Sequence, residues 1–97
     1  MIRREGDSLF LDGALTLETV SELAGAVQEH LRQGARVVDF GGVTEIDSSA
    51  LALALEWRRH AAEGKGGTGL RFANLPDAMQ NLAKLYGVNE LLQPATG

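Results

Sequence analysis

Three short polar side chains stand in a row near the middle of the chain: Asp47, Ser48 and Ser49. Their oxygens can accept hydrogen bonds from the free backbone N–H groups in the first turn of a helix, so any one of them could be a helix cap. Capping needs only one such residue. The hydroxyls could also contact a protein partner or accept a phosphoryl group, which adds about −1.5 to −2 charges. Capping and recognition therefore both remain open for these residues.

Catalysis is poorly supported by the rest of the chain. The imidazoles are His30 and His60, and neither has a spacing typical of a metal site. Ser48, His60 and Asp39 are the residue types of a hydrolytic triad. If Ser48 and His60 share one helix, however, about 18 Å separates them at ~1.5 Å per residue, which excludes a hydrogen bond. We expect no enzyme activity, no metal and no cofactor.

Residues 64–69 (GKGGTG) have the spacing of the dinucleotide-binding fingerprint, Gly-x-Gly-x-x-Gly. That fingerprint requires a strand before it and a helix after it, and the predicted order here is reversed. Without a following helix N-terminus, the segment has no helix dipole directed at a phosphate. We interpret it as a flexible connection.

The element that positions the polar triplet is a predicted helix that begins at or just after Ser48. Residues 50–55 (ALALAL) are all apolar, so the first turns are hydrophobic nearly all round. One sheet in so short a chain can cover one side of this helix. The other side is expected either to lie under a neighbouring helix or to be a docking surface. The orientation of Trp57 and Arg58 cannot be deduced from the sequence.

The order of predicted elements is typical of a single α/β domain with a small mixed sheet packed against helices, spanning residues 1–97. Strand–helix–strand crossovers favour parallel pairing, and sites gather at the carboxyl ends of parallel strands. The first predicted elements are a hairpin of strands 1–5 and 9–11 closed by Asp12 and Gly13, and a helix capped by Thr16 and ended by Gly34. They are followed by a strand 37–40 bounded by Gly41 and Gly42, the central helix and a strand 70–73. The last elements are a helix from Pro76 to Gly87, a short apolar segment 88–92 and a fraying end 93–97. That last helix has an apolar stripe of Ala78, Met79, Leu82, Leu85 and Tyr86.

Composition excludes several function classes. The 97 residues carry a net charge of −4, which argues against a nucleic-acid partner, since phosphate binding needs a basic patch. There is no cysteine, so no disulfide framework is expected. No stretch reads as a signal peptide, and the longest apolar run is far shorter than the ~20 residues that span a bilayer. We therefore expect a soluble cytoplasmic protein without direct membrane insertion.

Residues 37–40 (VVDF), followed by residues 43–51 (VTEIDSSAL), resemble the signature of STAS domains, the fold of sulfate-transporter and anti-sigma-factor-antagonist domains. The resemblance covers essentially the whole chain, in element order as well as in motif. It implies the α/β STAS fold and a non-catalytic role in binding a protein partner. Two branches of the family share features with this chain.

In the anti-sigma-factor antagonists, the loop resembles Asp-Ser-Ser-Gly, and a partner kinase phosphorylates its second serine. Resemblance to this branch implies that Ser49 is the phosphate acceptor, with Asp47, Ser48 and Leu51 around it. The partner would then be an anti-sigma kinase. The chain departs from this branch at Ala50, where the antagonists usually have glycine.

In the second branch, the MlaB-type subunits of bacterial Mla phospholipid ABC transporters, the loop resembles Asp-Thr-Gly-Gly followed by Leu-Ala-Leu. Residues 51–53 (LAL) and 82–86 (LAKLY) match this branch, and Ser48 stands for its functional threonine. Ser49 stands where that branch has glycine, so a switch by phosphorylation at Ser48 or Ser49 stays open. The match implies a subunit peripheral to the inner membrane, bound to an MlaF-like ATPase through the loop and neighbouring faces of the second and third helices. The loop residues expected to bind the partner are Asp47, Ser48, Ser49, Ala50 and Leu51.

Overall fold

The computed structural model describes residues 2–63 and 70–92, which form one four-stranded sheet and four helices. The segment 64–69 and the end 93–97 lie outside the described residues, so the interpretations made for them are not tested. In chain order the elements are β1 (Ile2–Glu5), β2 (Ser8–Leu15), α1 (Val20–Arg32), β3 (Val37–Ile46), α2 (Ser48–Glu63), β4 (Arg71–Ala73), α3 (Asp77–Leu85) and α4 (Asn89–Leu92).

The sheet has the strand order β1-β2-β3-β4. β1 pairs antiparallel with β2, whereas β2 pairs parallel with β3 and β3 pairs parallel with β4. The predicted N-terminal hairpin and the predicted parallel crossovers are therefore confirmed. Leu15 pairs with Ile46, so β2 and β3 end side by side and the loops that follow them are neighbours.

Both central strands are longer than predicted. Asp12 and Gly13 do not close β2, which continues to Leu15, and β3 runs through Gly41 and Gly42 to Ile46. The pairing register shifts on either side of Asp12 and Gly13. A Cβ at Gly42 would lie 2.8 Å from the Cβ of Asp12, so glycine is needed here for close approach of the two strands. These glycines mark an irregularity inside the strands rather than their ends.

One face of the sheet carries the hydrophobic core. Alternate residues of the strands point into it, as the period of two requires. Phe40 and Phe72 meet there edge to face, with ring centroids 5.8 Å apart and planes at 74°, a favourable aromatic arrangement. The fully buried large side chains are Leu9, Leu11, Leu15, Val27, Val38, Phe40, Trp57, Met79 and Leu92.

The central helix α2 contacts α1, α3 and α4. Ala50, Leu51, Ala54 and Trp57 are buried, while Leu53 and Leu55 are half-buried against the core. Neighbouring helices therefore cover most of the apolar surface of α2. Of the two alternatives left open by the sequence, a neighbouring helix or a docking surface, the first accounts for most of this surface. Trp57 faces the core, and the Arg58 guanidinium lies 4.9 Å from the centre of the Phe72 ring.

The first helix begins later than predicted. Thr19, not Thr16, is its N-cap, so Leu17 lies outside the helix and its side chain is 74 % exposed. Residues 16–19 instead form a turn in which the Thr19 N–H donates to the Thr16 carbonyl. At the other end, the N–H groups of Gly34 and Ala35 bond the carbonyls of Leu31 and His30, and Gly34 has φ +105°. The predicted left-handed glycine after the last turn is confirmed.

The predicted apolar stripe of α3 is wrong in part. Met79 and Ala83 are buried and Leu82 is half-buried, but Leu85 and Tyr86 are 76 % and 58 % exposed. Leu85 lies six residues after Met79, about 120° away around an axis that turns ~100° per residue, so it leaves the buried face. Ala78 is also exposed, and Pro76 stands one residue before the first helical residue. Gly87 ends the helix with φ +73°, as predicted.

Among residues 2–63 and 70–92, no helix combines the length and the apolar character needed to cross a bilayer.

Candidate functional site

Asp47 is the one residue between β3 and α2. Its Oδ1 atom accepts the backbone N–H of Ser49 at 2.9 Å and also the Ser49 hydroxyl, and its carbonyl accepts the N–H of Ala50 at 3.0 Å. Asp47 is therefore the cap of α2, which leaves Ser48 and Ser49 inside the first turn. The sequence left capping open among three residues, and the structure assigns it to the first.

The second carboxylate oxygen of Asp47 reaches a different loop. Its Oδ2 atom accepts the backbone N–H of Leu17 at 3.0 Å, across 30 residues of chain. The turn that carries Leu17 is itself closed, because the Thr16 N–H donates to the Thr19 hydroxyl oxygen at 2.9 Å and that hydroxyl reaches the Ala14 carbonyl at 3.0 Å. One carboxylate thus joins two segments, residues 14–19 and residues 44–49, each of which contains the end of a strand and the residues that follow it. We call these segments the paired loops.

The hydrogen bonds to Asp47 favour its charged form. The Ser49 hydroxyl contributes most, followed by the N–H of Leu17, and together these donors lower the pKa of the Asp47 carboxyl below its ordinary value. A negative charge is also suited to this position, since the N-terminus of α2 has a partial positive charge. The group that joins the paired loops is therefore a carboxylate at neutral pH.

The two serines of the loop have different surroundings. Ser48 is exposed, whereas Ser49 is half-buried and its hydroxyl donates to Asp47. Ala50 and Leu51 are 0 % and 3 % exposed, so they belong to the core. Of the five residues predicted to bind a partner, Ser48 is thus the most accessible one, and Asp47 and Ser49 are engaged with each other.

Leu17 was not identified as a candidate from the sequence, because a helix capped by Thr16 would include it in the first turn, whereas α1 begins at Val20. A signal was present in the two threonines, because Thr16 and Thr19 have the spacing of a side-chain-closed turn that competes with helix. Leu82, Leu85 and Tyr86, in contrast, belong to α3, and none of the hydrogen bonds that hold the paired loops involves them. The structure does not join these α3 residues to the serine loop through any of these bonds.

Asp39 takes part in a separate cluster. Its carboxylate accepts the Gly41 N–H at 2.7 Å and the Asn74 side-chain amide at 3.0 Å, which ties β3 to the residue after β4. Asn74 has φ +54°, a conformation that asparagine tolerates. Asp39 pairs with Phe10 and Ala73 on the sheet face opposite the core, so it does not form a triad with Ser48.

Within residues 2–63 and 70–92, no three side chains of histidine, aspartate and glutamate lie together as a metal-binding group. The polar groups of the paired loops instead form hydrogen bonds with one another and with the backbone, and these bonds hold the backbone in place. Such an arrangement can present a surface to a partner.

A family model described as "Mlab, STAS domain" matches residues 1–93. The chain belongs to the STAS family. The prediction of this family from residues 37–51 is therefore confirmed, and members of the family generally serve as regulatory or binding modules.

Among solved structures, this STAS domain is similar to the anti-sigma factor antagonist SpoIIAA in its unphosphorylated form. The two chains are 19 % identical, the match covers 99 % of this chain and 87 % of the other, and the TM-score is 0.62. At this identity the likeness shows the shared α/β fold. Comparison with curated protein sequences found no significant match.

Proposed function

We propose that this STAS domain is a non-catalytic subunit of an Mla-type ABC phospholipid transporter, the kind of system that maintains outer-membrane lipid asymmetry. It binds an MlaF-like ATPase and stabilises or regulates it, and it lies in the cytoplasm at the inner membrane through that complex. The observation that carries this proposal is the match of residues 1–93 to the Mlab family model.

The geometry of the paired loops supports a docking role. Asp47 bonds the backbone of both loops, so the exposed Ser48 and Leu17 side chains are held on a surface that is ordered before a partner arrives. Ordering a loop in advance removes part of the entropy cost of association. A hydroxyl at position 48 is small and neutral, which suits close contact with a protein surface.

The test is a pull-down from native lysate with the tagged wild-type domain, with the retained proteins identified by mass spectrometry. We expect an ABC ATPase together with its permease. Ser48→Glu should lose them, because it places a larger, charged group on the contact surface, whereas Ser48→Ala should retain them. Retention of the transporter by Ser48→Glu at the wild-type level would refute a role for this loop.

A control position with an equal change of charge, away from the Ser48 loop, is available at the C-terminal end of α1. Gln33 is an exposed residue at the C-terminal cap of that helix, and Gln33→Glu adds one negative charge, as Ser48→Glu does. We expect Gln33→Glu to retain the ATPase. Loss with both variants would indicate a general effect of charge rather than a contact at Ser48.

The stabilising role has its own readout. In cells without the STAS domain, we expect the ATPase to be degraded faster after protein synthesis is stopped, because binding of a partner to the folded state lowers the unfolded population. An unchanged ATPase half-life would show that the domain does not stabilise the ATPase, even if it binds it.

The second candidate function is an anti-sigma-factor antagonist switched by phosphorylation. It is favoured by the two adjacent serines and by the fold likeness to SpoIIAA, whose structure is described as an unphosphorylated form. The exposure of Ser48 favours it as the acceptor over Ser49, whose hydroxyl donates to Asp47. Phosphate at Ser48 or Ser49 in protein from cells, with a serine kinase in the same pull-down, would support this reading over the transporter.

A further inference from the structure

The paired loops and the residues on either side of them along the chain carry acidic charges only. Residues 12–29 and 37–57 contain no lysine, arginine or histidine. Glu18 and Glu45 are exposed on the two loops, and Glu22 is exposed in the first turn of α1, which follows directly. The described basic residues lie in other parts of the chain, at Arg3, Arg4, His30, Arg32, Arg36, Arg58, Arg59, Arg71 and Lys84.

A large apolar side chain stands beside these carboxylates. Leu17 precedes Glu18 and is 74 % exposed, although most of the hydrophobic side chains of the described chain are buried or half-buried. Its backbone is fixed by Asp47, and its turn is closed by Thr16 and Thr19. Leu17 is thus a highly exposed leucine on a held backbone, followed in sequence by Glu18 and joined through Asp47 to the segment that contains Glu45.

We propose that Leu17 is the apolar anchor of the interface with the ATPase, and that Glu18 and Glu45 form its acidic rim. This inference rests on the proposed function and specifies its partner surface: an apolar pocket on the ATPase takes Leu17, and arginine or lysine side chains around that pocket face the two glutamates. Complementary charge at the rim speeds association, and the buried anchor slows dissociation.

Gln33 provides a comparison at the opposite end of α1. It is exposed at the C-terminal cap of that helix, next to Arg32, whereas Leu17 precedes the helix and is followed by Glu18. An aspartate introduced at either position adds the same charge, so a larger loss of affinity at position 17 reports the missing leucine side chain and its location.

The experiment measures binding of the purified domain to the purified ATPase by surface plasmon resonance. We expect Leu17→Asp to weaken the equilibrium affinity at least tenfold and Leu17→Ala to weaken it several-fold, mainly through faster dissociation. Gln33→Asp should change the affinity less than twofold. Circular dichroism and thermal melting of each variant show whether the fold is intact, and Leu17→Ala keeps the test valid if the aspartate disturbs the turn.

The rim is tested by charge removal without loss of size. The double variant Glu18→Gln, Glu45→Gln should lower the association rate several-fold and flatten its dependence on salt, while the dissociation rate changes little. The control is Glu5→Gln with Glu29→Gln, two exposed glutamates on β1 and at the end of α1, which should leave the salt dependence unchanged.

The possible results distinguish a failure of the proposed function from a failure of the Leu17 assignment alone. Absence of binding by the wild-type domain would overturn the proposed function and this inference with it. Wild-type binding that survives Leu17→Asp would overturn only the inference, as would an equal loss of affinity with Gln33→Asp. Dimerisation of the free wild-type domain that Leu17→Asp abolishes, measured by light scattering, would assign Leu17 to a second copy and also overturn it.

Discussion

The backbone N–H of Leu17 donates to the Asp47 carboxylate, with 3.0 Å between the nitrogen and Oδ2. The other oxygen of the same carboxylate holds the first turn of α2 through Ser49. A single side chain thus determines both where the central helix begins and where an exposed leucine stands. Changes at Asp47 should therefore be felt in two loops at once.

Asp47→Asn should destabilise the domain at neutral pH, because the amide carries no charge and has only one acceptor oxygen for the two loops. The pKa of Asp47 is lowered in the folded state, so its contribution is fully present above the unfolded-state value near 4 and is lost as the pH falls through the folded value. We expect the difference in melting temperature between wild type and Asp47→Asn to be constant from pH 5 to 8. It should shrink below about pH 4. A difference that stays the same down to pH 2.5 would contradict the role of the charge.

Ser48→Ala and Ser49→Ala should differ in stability, although they are the same change in one helical turn. Ser49 loses a hydrogen bond to Asp47, which typically costs about 1 kcal/mol, whereas the exposed Ser48 should stay within about 0.5 kcal/mol of wild type. Helix propensity changes equally in both and cancels. Urea denaturation measures the two free energies of unfolding, and equal values would argue that the Ser49 hydroxyl is not engaged.

Gly42→Ala should destabilise the domain by about 1–3 kcal/mol, the usual cost of overpacking. The added Cβ would lie 2.8 Å from the Asp12 Cβ and 3.0 Å from the Leu11 carbonyl oxygen, and the latter is backbone that cannot rotate away. The control is Gly25→Ala, in α1, where nothing lies within 4 Å and alanine should stabilise the helix by up to about 1 kcal/mol. Opposite signs in chemical denaturation are the expected result; a neutral Gly42→Ala would show that β2 and β3 can separate there.

Trp57→Phe should be tolerated far better than Trp57→Ala. The indole is fully buried, and its Nε1 atom has no hydrogen-bond partner among the described residues, so phenylalanine forfeits ring volume but no bond. Trp57→Ala leaves a cavity and should cost about 3–5 kcal/mol. Thermal or urea unfolding of the two variants checks the ratio. If Trp57→Phe is as damaging as Trp57→Ala, the indole N–H has a partner that holds the core together.

Local patterns in the sequence were enough for much of the fold. Gly34 and Gly87 mark helix ends because glycine adopts a left-handed conformation without strain, and both have positive φ. The start of α2 was also predictable, because a short polar side chain before an apolar run can cap the first turn, as Asp47 does. The family was recognisable from residues 37–51, because its motif is one continuous stretch of sequence that contains a strand, a loop and a helix cap.

The amino-acid sequence alone predicts the α/β element order, the parallel crossovers and the polar loop before α2, since these follow from local patterns and from the order of the elements. The packed chain was needed to show that Asp12 and Gly42 lie inside the strands and that Leu17 is exposed with its backbone N–H bonded to Asp47. The physical reason is distance in sequence: the Asp47 carboxylate bonds a backbone N–H 30 residues away. A short stretch of sequence does not reveal this hydrogen bond, because its two partners come close only when β2 and β3 pair.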